Sequence, residues 1–451
     1  MNLITILKSP EGKTLEFKRD LSSPQEVIKS VIAFANTAGG KIVVGVEDDT
    51  HYVTGLKDPL SLEERIANII SDNISPHIIP EIEIIPWRDR YIVLVQVYPS
   101  SNRPHFLKSA GRDNGVYIRV GSTNRKADKA SIAELERITL NQSFDEQPLP
   151  EQSSEEIDFR AASELFSPIC KLKPQDLETL GLITRYHAQR VPTIAGVILF
   201  GKEREKTFPD AWIQCGRFRG IDKTNIVDSF AIHKYPVLAV EEALIFIEKH
   251  AMRSIEIKHI KHQVRWSVPL IAIREALINA VVHADYSQQG APIRIAIFDD
   301  RIEIENPGLL RFGLTTNDIK QGISKLRNRT IGRIFNKLGL IEQWGSGIQR
   351  ILSTCREAGF PEPIFEEIGT HFRVTLFTEQ TQKPEIDEKD QAILSLFKED
   401  KGLNTQLIAQ KIKMSPRATR TRLIKLIALG YVVEIASSAQ DPNRQYFLSK
   451  K

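Results

Sequence analysis

Glu275, Asn279 and His283 stand four residues apart in the stretch 274–286, which reads Arg-Glu-Ala-Leu-Ile-Asn-Ala-Val-Val-His-Ala-Asp-Tyr. In a helix, positions i, i+4 and i+8 share one face. A solvated face would carry Lys–Glu pairs and a buried one Leu, so an acid, an amide and an imidazole in line point to chemistry. A carboxylate such as Glu275 can orient a water for hydrolysis. The amide oxygen of Asn279 is a hard donor suited to Mg²⁺. His283 continues the same face as an accessory residue, with Asp285 near enough in sequence to orient it.

The residues C-terminal to this helix suit a nucleotide. Strand-like runs at 293–298 and 301–305 flank Asp299-Asp300 and lead to Asn306-Pro307-Gly308, a turn whose Gly308 would let a base or ribose come close. A polar loop then supplies Lys325, Arg327 and Arg329. Gly345-Ser346-Gly347 opens a further helix, and glycines at a helix N-terminus make a phosphate site. Trp344, beside that turn, reads as a packing residue. The set predicts a nucleotide pocket with Mg²⁺.

A second group lies near the start of the chain. Glu11, Glu16 and Asp48 are three carboxylates near strand ends. Such clusters hold Mg²⁺ or Mn²⁺ and position water for phosphodiester attack. Lys18 beside them would steady a phosphate, and Arg119, Arg125 and Lys126 would touch a nucleic-acid backbone. The structural alternative is that surface acids and turn aspartates need no function. His51, His77 and His105 are scattered and show no metal spacing.

The elements that must position these residues are bounded by breaks in the chain. Residues 12–130 alternate strand and helix runs: strands at 15–18, 41–46, 82–86, 91–97 and 116–120, and a helix at 24–36. A Pro-, Ser- and acid-rich stretch at 143–156 reads as linker, with the boundary drawn at 131–156. Residues 157–265 form a β-rich middle segment, with strands at 194–200 and 211–217. Residues 266–378 form a second α/β unit around the helix that carries Glu275, and 379–385 is a second linker.

The tail, 386–451, reads as three helices and a hairpin. Ser415-Pro416 supplies an N-cap and a first-turn Pro, the third helix stops at Gly430, and strands at 432–435 and 445–448 flank a wing at 440–444. That is a winged helix-turn-helix. Arg417, Arg420 and Arg422 near the start of the third helix, and Arg444 in the wing, are its candidate DNA contacts. From Lys401 onward ten Lys and Arg face only two acids, Glu434 and Asp441, which suits a nucleic-acid surface. A protein-interaction winged helix and a solubilising tail are the alternatives.

Composition bounds the rest. The chain has 451 residues, 41% hydrophobic and 26% charged, which is too long for one ordinary core and fits a soluble multidomain protein. Its longest apolar run, near 193–200, is far too short to span a bilayer. No signal peptide is expected. Cys170, Cys215 and Cys355 make neither a disulfide framework nor a zinc spacing, so a reducing, cytoplasmic setting is expected.

Two resemblances sharpen these readings. "REALINAVVHADY", "IEIENPG" and "LGLIEQWGSGIQRI" resemble the GHKL ATPase-type domain of transcriptional regulators once labelled helicase-related. That resemblance implies a Bergerat-type ATP-binding sandwich, with Glu275 as base, Asn279 on magnesium and the glycine turns around the nucleotide. Asn306 stands where GHKL domains carry the Asp that reads the adenine amino group, and its amide oxygen can still accept that hydrogen bond. "EGKTLEFKRD", "AFANTAGGKIVVGVEDD" and "VYIRVGSTNRKA" resemble the Schlafen-type AlbA-like domain, which implies nucleic-acid binding and, in some members, metal-dependent RNA cleavage. The expected protein is therefore an α/β (α+β) multidomain chain with an AlbA-like domain, a GHKL sandwich and a winged helix. Its expected role is that of a homo-oligomeric DNA-binding regulator switched by ATP. An ATP-controlled nuclease acting on RNA or DNA, in defence or stress, and a non-catalytic scaffold are the alternatives.

Overall fold

The computed structural model describes residues 3–48, 50–187, 189–258, 261–341, 345–378, 386–397, 402–437, 441 and 444–449, with backbone alone for 252–258 and 261–266. Trp344, the stretch 379–385 and most of the wing at 440–444 lie outside the described residues. The chain divides into two compact units. One comprises residues 1–132 together with 382–451, the other 133–381.

In the first unit four strands form one sheet, in the order Leu15–Lys18, Gly40–Val44, Arg90–Val97, Glu81–Trp87. The first pair is parallel and the other two are antiparallel. The Pro24–Asn36 helix covers one face with Val27, Ile28, Val31, Ile32 and Phe34. The other face is covered partly from the far end of the sequence. Ile435 and Phe447, on the hairpin Val432–Ile435 and Gln445–Leu448, join Leu3, Ile6, Leu7, Leu15, Phe17 and Val43 in a single core. The ammonium of Lys8 sits 4.2 Å from the centre of the Phe447 ring, Val53 N–H donates to Ala436 O at 3.0 Å, and Arg88 pairs with Asp441 at 2.7 Å. The winged helix is thus no free-standing tail. Its hairpin completes the sandwich of the N-terminal domain.

The second unit is built on a six-stranded sheet in the order Ile226–Ile232, Ile213–Phe218, Ile293–Ile297, Arg301–Pro307, His371–Phe377, Ile364–Ile368. This sheet crosses the boundary expected at 265/266. Ile213–Phe218 pairs in parallel with Ile293–Ile297, and a parallel pair needs a long crossover. The helices Pro236–Ala251 and Leu270–His283 lie on that crossover, and one core runs from Ile157 to Leu376. The strand expected at 194–200 is instead a helix, Ile194–Phe200, buried at every residue and capped by Thr193, whose side chain accepts from Gly196 N–H. A short run with no polar residue has no period to betray it, and here burial on all sides favours helix. The linker expected at 131–156 also carries structure: the Lys129–Thr139 helix ends inside it, and Asp145 is fully buried.

The hairpin contact yields a test. Phe447→Ala removes a buried aromatic and should destabilise the first unit by about 3–5 kcal/mol, whereas Ile424→Ala, at a position 58% exposed on the third tail helix, should cost about 0.5 kcal/mol or less. Urea unfolding of the full chain distinguishes the two. Equal, small effects would show that the hairpin does not hold the N-terminal sheet.

Candidate nucleotide-binding cavity and nucleic-acid faces

The Leu270–His283 helix is apolar nearly all round and buried between the sheet and its neighbours. Its polar line faces a cavity of about 510 Å³. Glu275, Asn279 and His283 form one wall. Asn306 and Gly308 come from the end of the Arg301–Pro307 strand, Lys325, Arg327 and Arg329 from the loop, and Gly345, Ser346 and Gly347 from the start of the Gly347–Glu357 helix. Every residue expected in the ATP site therefore lines this one cavity.

Close packing shapes it. A Cβ at Gly347 would lie 2.9 Å from Glu275 Oε2 and 3.3 Å from Asn279 Nδ2. Only glycine lets the helix N-terminus, the positive end of its dipole, come up against the acid and the amide. Gly308 has φ +97°, and a side chain there would strike Asp285 Cβ at 2.8 Å. Glu275 Oε1 accepts from Arg350 Nη1 at 2.8 Å, with Arg274 at 3.5 Å. The half-buried Asn279 amide makes no hydrogen bond among the described residues, so its oxygen is open to the cavity. Lys325 is exposed and likewise unpaired among them. A polyphosphate with Mg²⁺ fits this donor set: an amide oxygen, a carboxylate, a helix N-terminus and a lysine.

Other expected roles change. Arg327 is buried. Its guanidinium lies against Gly308, donates to Leu309 O at 2.6 Å, and pairs with Glu134 and with Asp285 at 3.7 Å. Arg329 donates to Asn141 O at 2.9 Å and to its side chain. Both are wall residues engaged by protein groups. Asp285 does not orient His283: its carboxylate accepts from Ser287 N–H and Oγ–H and from Gln288, fixing the turn after the helix. Loss of solvent, helped by Arg327 and Arg311, pushes His283 down to about 4. The imidazole is neutral at pH 7, and so can accept or donate a hydrogen bond but carries no charge. Sequence reasoning missed Arg350, which lies three residues after Gly347, one helical turn on, and so shares its face. It missed Glu134 as well.

The N-terminal carboxylates do not form the expected cluster. Glu16 is buried, with Oε2 on Arg119 Nη1 at 2.8 Å and Oε1 on Lys18 Nζ at 3.0 Å. Burial opposes the charge on Lys18, but Glu16 and Asp48, the latter at 3.3 Å, outweigh it and hold its pKa above the ordinary value. Glu11 Oε1 is turned to the N–H of Phe17 at 2.6 Å. Among the described residues no group of three or more His, Cys, Asp or Glu is placed to hold a metal. A lysine and an arginine take the place of a cation, so Mg²⁺ or Mn²⁺ does not fit here. Arg119, 1% exposed, also binds Gly12 O and Asn124 Oδ1 and cannot reach a phosphate. Arg125 and Lys126 remain on the exposed Thr123–Lys126 strand.

In the winged helix, Ser415 caps Pro416–Ala428 by accepting from Ala418 N–H, with Pro416 in the first turn. Arg417 and Arg420 are exposed and unpaired among the described residues. Arg422 is committed to Asp387 at 2.6 Å and to the buried Asp390 at 2.7 Å, and Arg444 to Glu434 at 2.7 Å. Of the four tail arginines expected to touch DNA, only Arg417 and Arg420 are therefore exposed and unpaired among the described residues. No described helix is long and apolar enough to cross a membrane.

The neutral His283 can be checked directly. A ¹H–¹³C titration of its ring should show no protonation above about pH 5, whereas a midpoint near the ordinary 6.5 would mean an open, solvated cavity wall.

Three family models match parts of the chain: "Schlafen, AlbA_2" over residues 11–128, "Putative ATP-dependent DNA helicase recG C-terminal" over 290–376, and "Winged helix-turn-helix DNA-binding" over 386–433. No curated protein matches the chain. Among solved structures, the DIP2311 protein of Corynebacterium diphtheriae is 18% identical, covering 99% of this chain and 95% of its own, with a TM-score of 0.44. The N-terminal domain of a RecG-related protein of Nitrosomonas europaea is 26% identical over 28% of this chain and 94% of its own, with a TM-score of 0.24. The family models and the observed elements agree: this is a mixed α/β multidomain protein with an AlbA_2-type N-terminal domain, a HATPase-like domain and a winged helix.

Proposed function

We propose that this protein is a DNA-binding regulator in which Mg·ATP, held in the cavity, sets the affinity for nucleic acid. The observation that carries the reading is the meeting of the Glu275–Asn279 face with the Gly347 helix N-terminus, a place built for an anion and a hard cation. Asn279 would hold Mg²⁺, Lys325 and the start of the Gly347–Glu357 helix would take phosphate oxygens, and Asn306 and Gly308 would border the base. The bound metal would supply charge neutralisation at the phosphates. Glu275, held in place by Arg350, would orient water. The winged helix would read duplex DNA through the start of Pro416–Ala428, and the exposed Thr123–Lys126 strand would add backbone contacts. A homo-oligomer would set two such helices on neighbouring half-sites. Phosphodiester cleavage has no part in this reading, because Arg119 and Lys18 already occupy the Glu16 carboxylate.

The test is fluorescence anisotropy of a duplex with the full chain, with and without Mg·ATP. Nucleotide should shift DNA affinity by about fivefold or more, and Asn279→Ala should remove the shift by weakening Mg·ATP binding. Glu275→Ala should keep binding and abolish any hydrolysis. DNA affinity indifferent to saturating nucleotide would sink the switch. Within the same assay, Arg417→Ala and Arg420→Ala should each lower the salt slope by about one if they touch phosphate. Arg422→Ala should leave the slope alone and lower thermal stability, since it strips a partner from buried Asp390. A slope that falls for Arg422→Ala and not for the other two would place DNA on a different face.

A further inference from the structure

The polypeptide enters the second unit through the Lys129–Thr139 helix, and the stretch after it packs against the loop that supplies Arg327 and Arg329 to the cavity lining. Four polar side chains of this connector converge on one short loop. Glu134 pairs with Arg327 where both are largely buried, their side chains 15% and 9% exposed. Asn141, at φ +54°, offers its backbone and side-chain oxygens to the two Nη groups of Arg329. Ser143 Oγ donates to Arg327 O at 2.7 Å and accepts from Arg329 N–H at 3.3 Å. The buried Asp145 accepts from Ile331 N–H at 2.9 Å and so caps the Arg329–Lys337 helix.

These contacts have a consequence for the cavity. Arg327 and Arg329 both line it, and Arg327 forms part of its floor beside Gly308. Without Glu134, the buried Arg327 guanidinium would keep only weaker counter-charges among the described residues, Asp285 at 3.7 Å and the more weakly coupled Glu367. A half-paired buried charge forces its surroundings to rearrange. The loop between Leu326 and Ile331 therefore keeps its shape because the connector holds it, and the shape of the loop is one wall of the cavity.

We infer that residues 134–145 are a positioning strap for the nucleotide cavity, with Glu134 and Asn141 setting Arg327 and Arg329, so that cavity occupancy and order in the connector are coupled. The inference rests on the reading of this cavity as a nucleotide site. Coupling of this kind is reciprocal: a ligand that needs the wall stabilises the strap, and a broken strap weakens the ligand. It gives the proposed switch a physical route, because the strap is the segment by which the chain leaves its nucleic-acid-binding unit.

The experiment uses the full chain and measures two things: ATP affinity by calorimetry, and amide hydrogen exchange of peptides within 134–145 with and without Mg·ATP. Wild type should bind, with exchange in the strap slowed about fivefold or more by nucleotide. Glu134→Ala and Asn141→Ala should each weaken ATP about five- to tenfold, and Glu134→Gln, which keeps an acceptor for Arg327, should recover part of the loss. A purely structural Glu134 would lower stability without changing how nucleotide alters strap exchange. If Glu134→Ala does not fold, Asn141→Ala, at an exposed position, carries the test. Wild type that binds ATP with no change in strap exchange, together with Asn141→Ala binding as tightly, overturns the strap alone. Wild type that binds no ATP at millimolar concentration overturns the cavity reading and the strap with it.

Discussion

The second unit turns on how closely two helices approach at Gly347. The start of the Gly347–Glu357 helix comes so near the polar line of Leu270–His283 that one added carbon would meet the Glu275 carboxylate. That approach sets a helix N-terminus, an acid held by Arg350 and an open amide around one space. Much of the remaining framework serves to keep it. The Leu270–His283 helix is packed among apolar side chains, leaving Glu275, Asn279 and His283 the cavity as their outlet. The turn at Gly308 adopts a backbone that a side chain would strain, and it is stapled by Arg327.

Charge is managed differently in the two units. Around the cavity, cations exceed what the protein itself needs. Lys325 is unpaired among the described residues, while Arg311, Arg327, Arg329 and Arg350 are tied to carbonyls or carboxylates. Such a site is prepared for anions without the full desolvation cost of free arginines. In the N-terminal domain the balance runs the other way. Every oxygen of Glu16 is met by Lys18 or Arg119, and the fully buried Arg119 serves the architecture, tying the first strand to the Tyr117–Val120 strand.

Much of this was legible in the sequence, and the reasons it was or was not are physical. The acid–amide–imidazole line could be read because helical spacing is local and fixed. The winged helix could be read because Ser415, Pro416 and Gly430 mark their helix ends by local chemistry. What failed depended on distant partners. Arg119, Arg422 and Arg444 look in sequence like any other free cation, and only the fold brings Glu16, Asp390 and Glu434 to them. The 194–200 run carries no polar residue, so its period is silent. The Ser- and Pro-rich stretch after 139 has the composition of a linker, yet Ser143 and Asp145 find backbone donors and acceptors at Arg327, Arg329 and Ile331, far along the chain. Likewise Ile435 and Phe447 are placed by the sequence on the two strands of the tail hairpin, and nothing local says that they fill the face of the N-terminal sheet.

The central claim is that the space beside Gly347 holds the phosphates and metal of a nucleotide. The most direct measurement is calorimetric titration of Mg·ATP into the full chain and into Gly347→Ala, with thermal unfolding of both as control. Wild type should bind saturably, and binding should weaken about tenfold or more in the variant, roughly 1.4 kcal/mol, with the variant still folding cooperatively in the thermal control, because the new methyl displaces the Glu275 carboxylate and crowds Asn279. Equal binding by the two proteins would contradict the central claim.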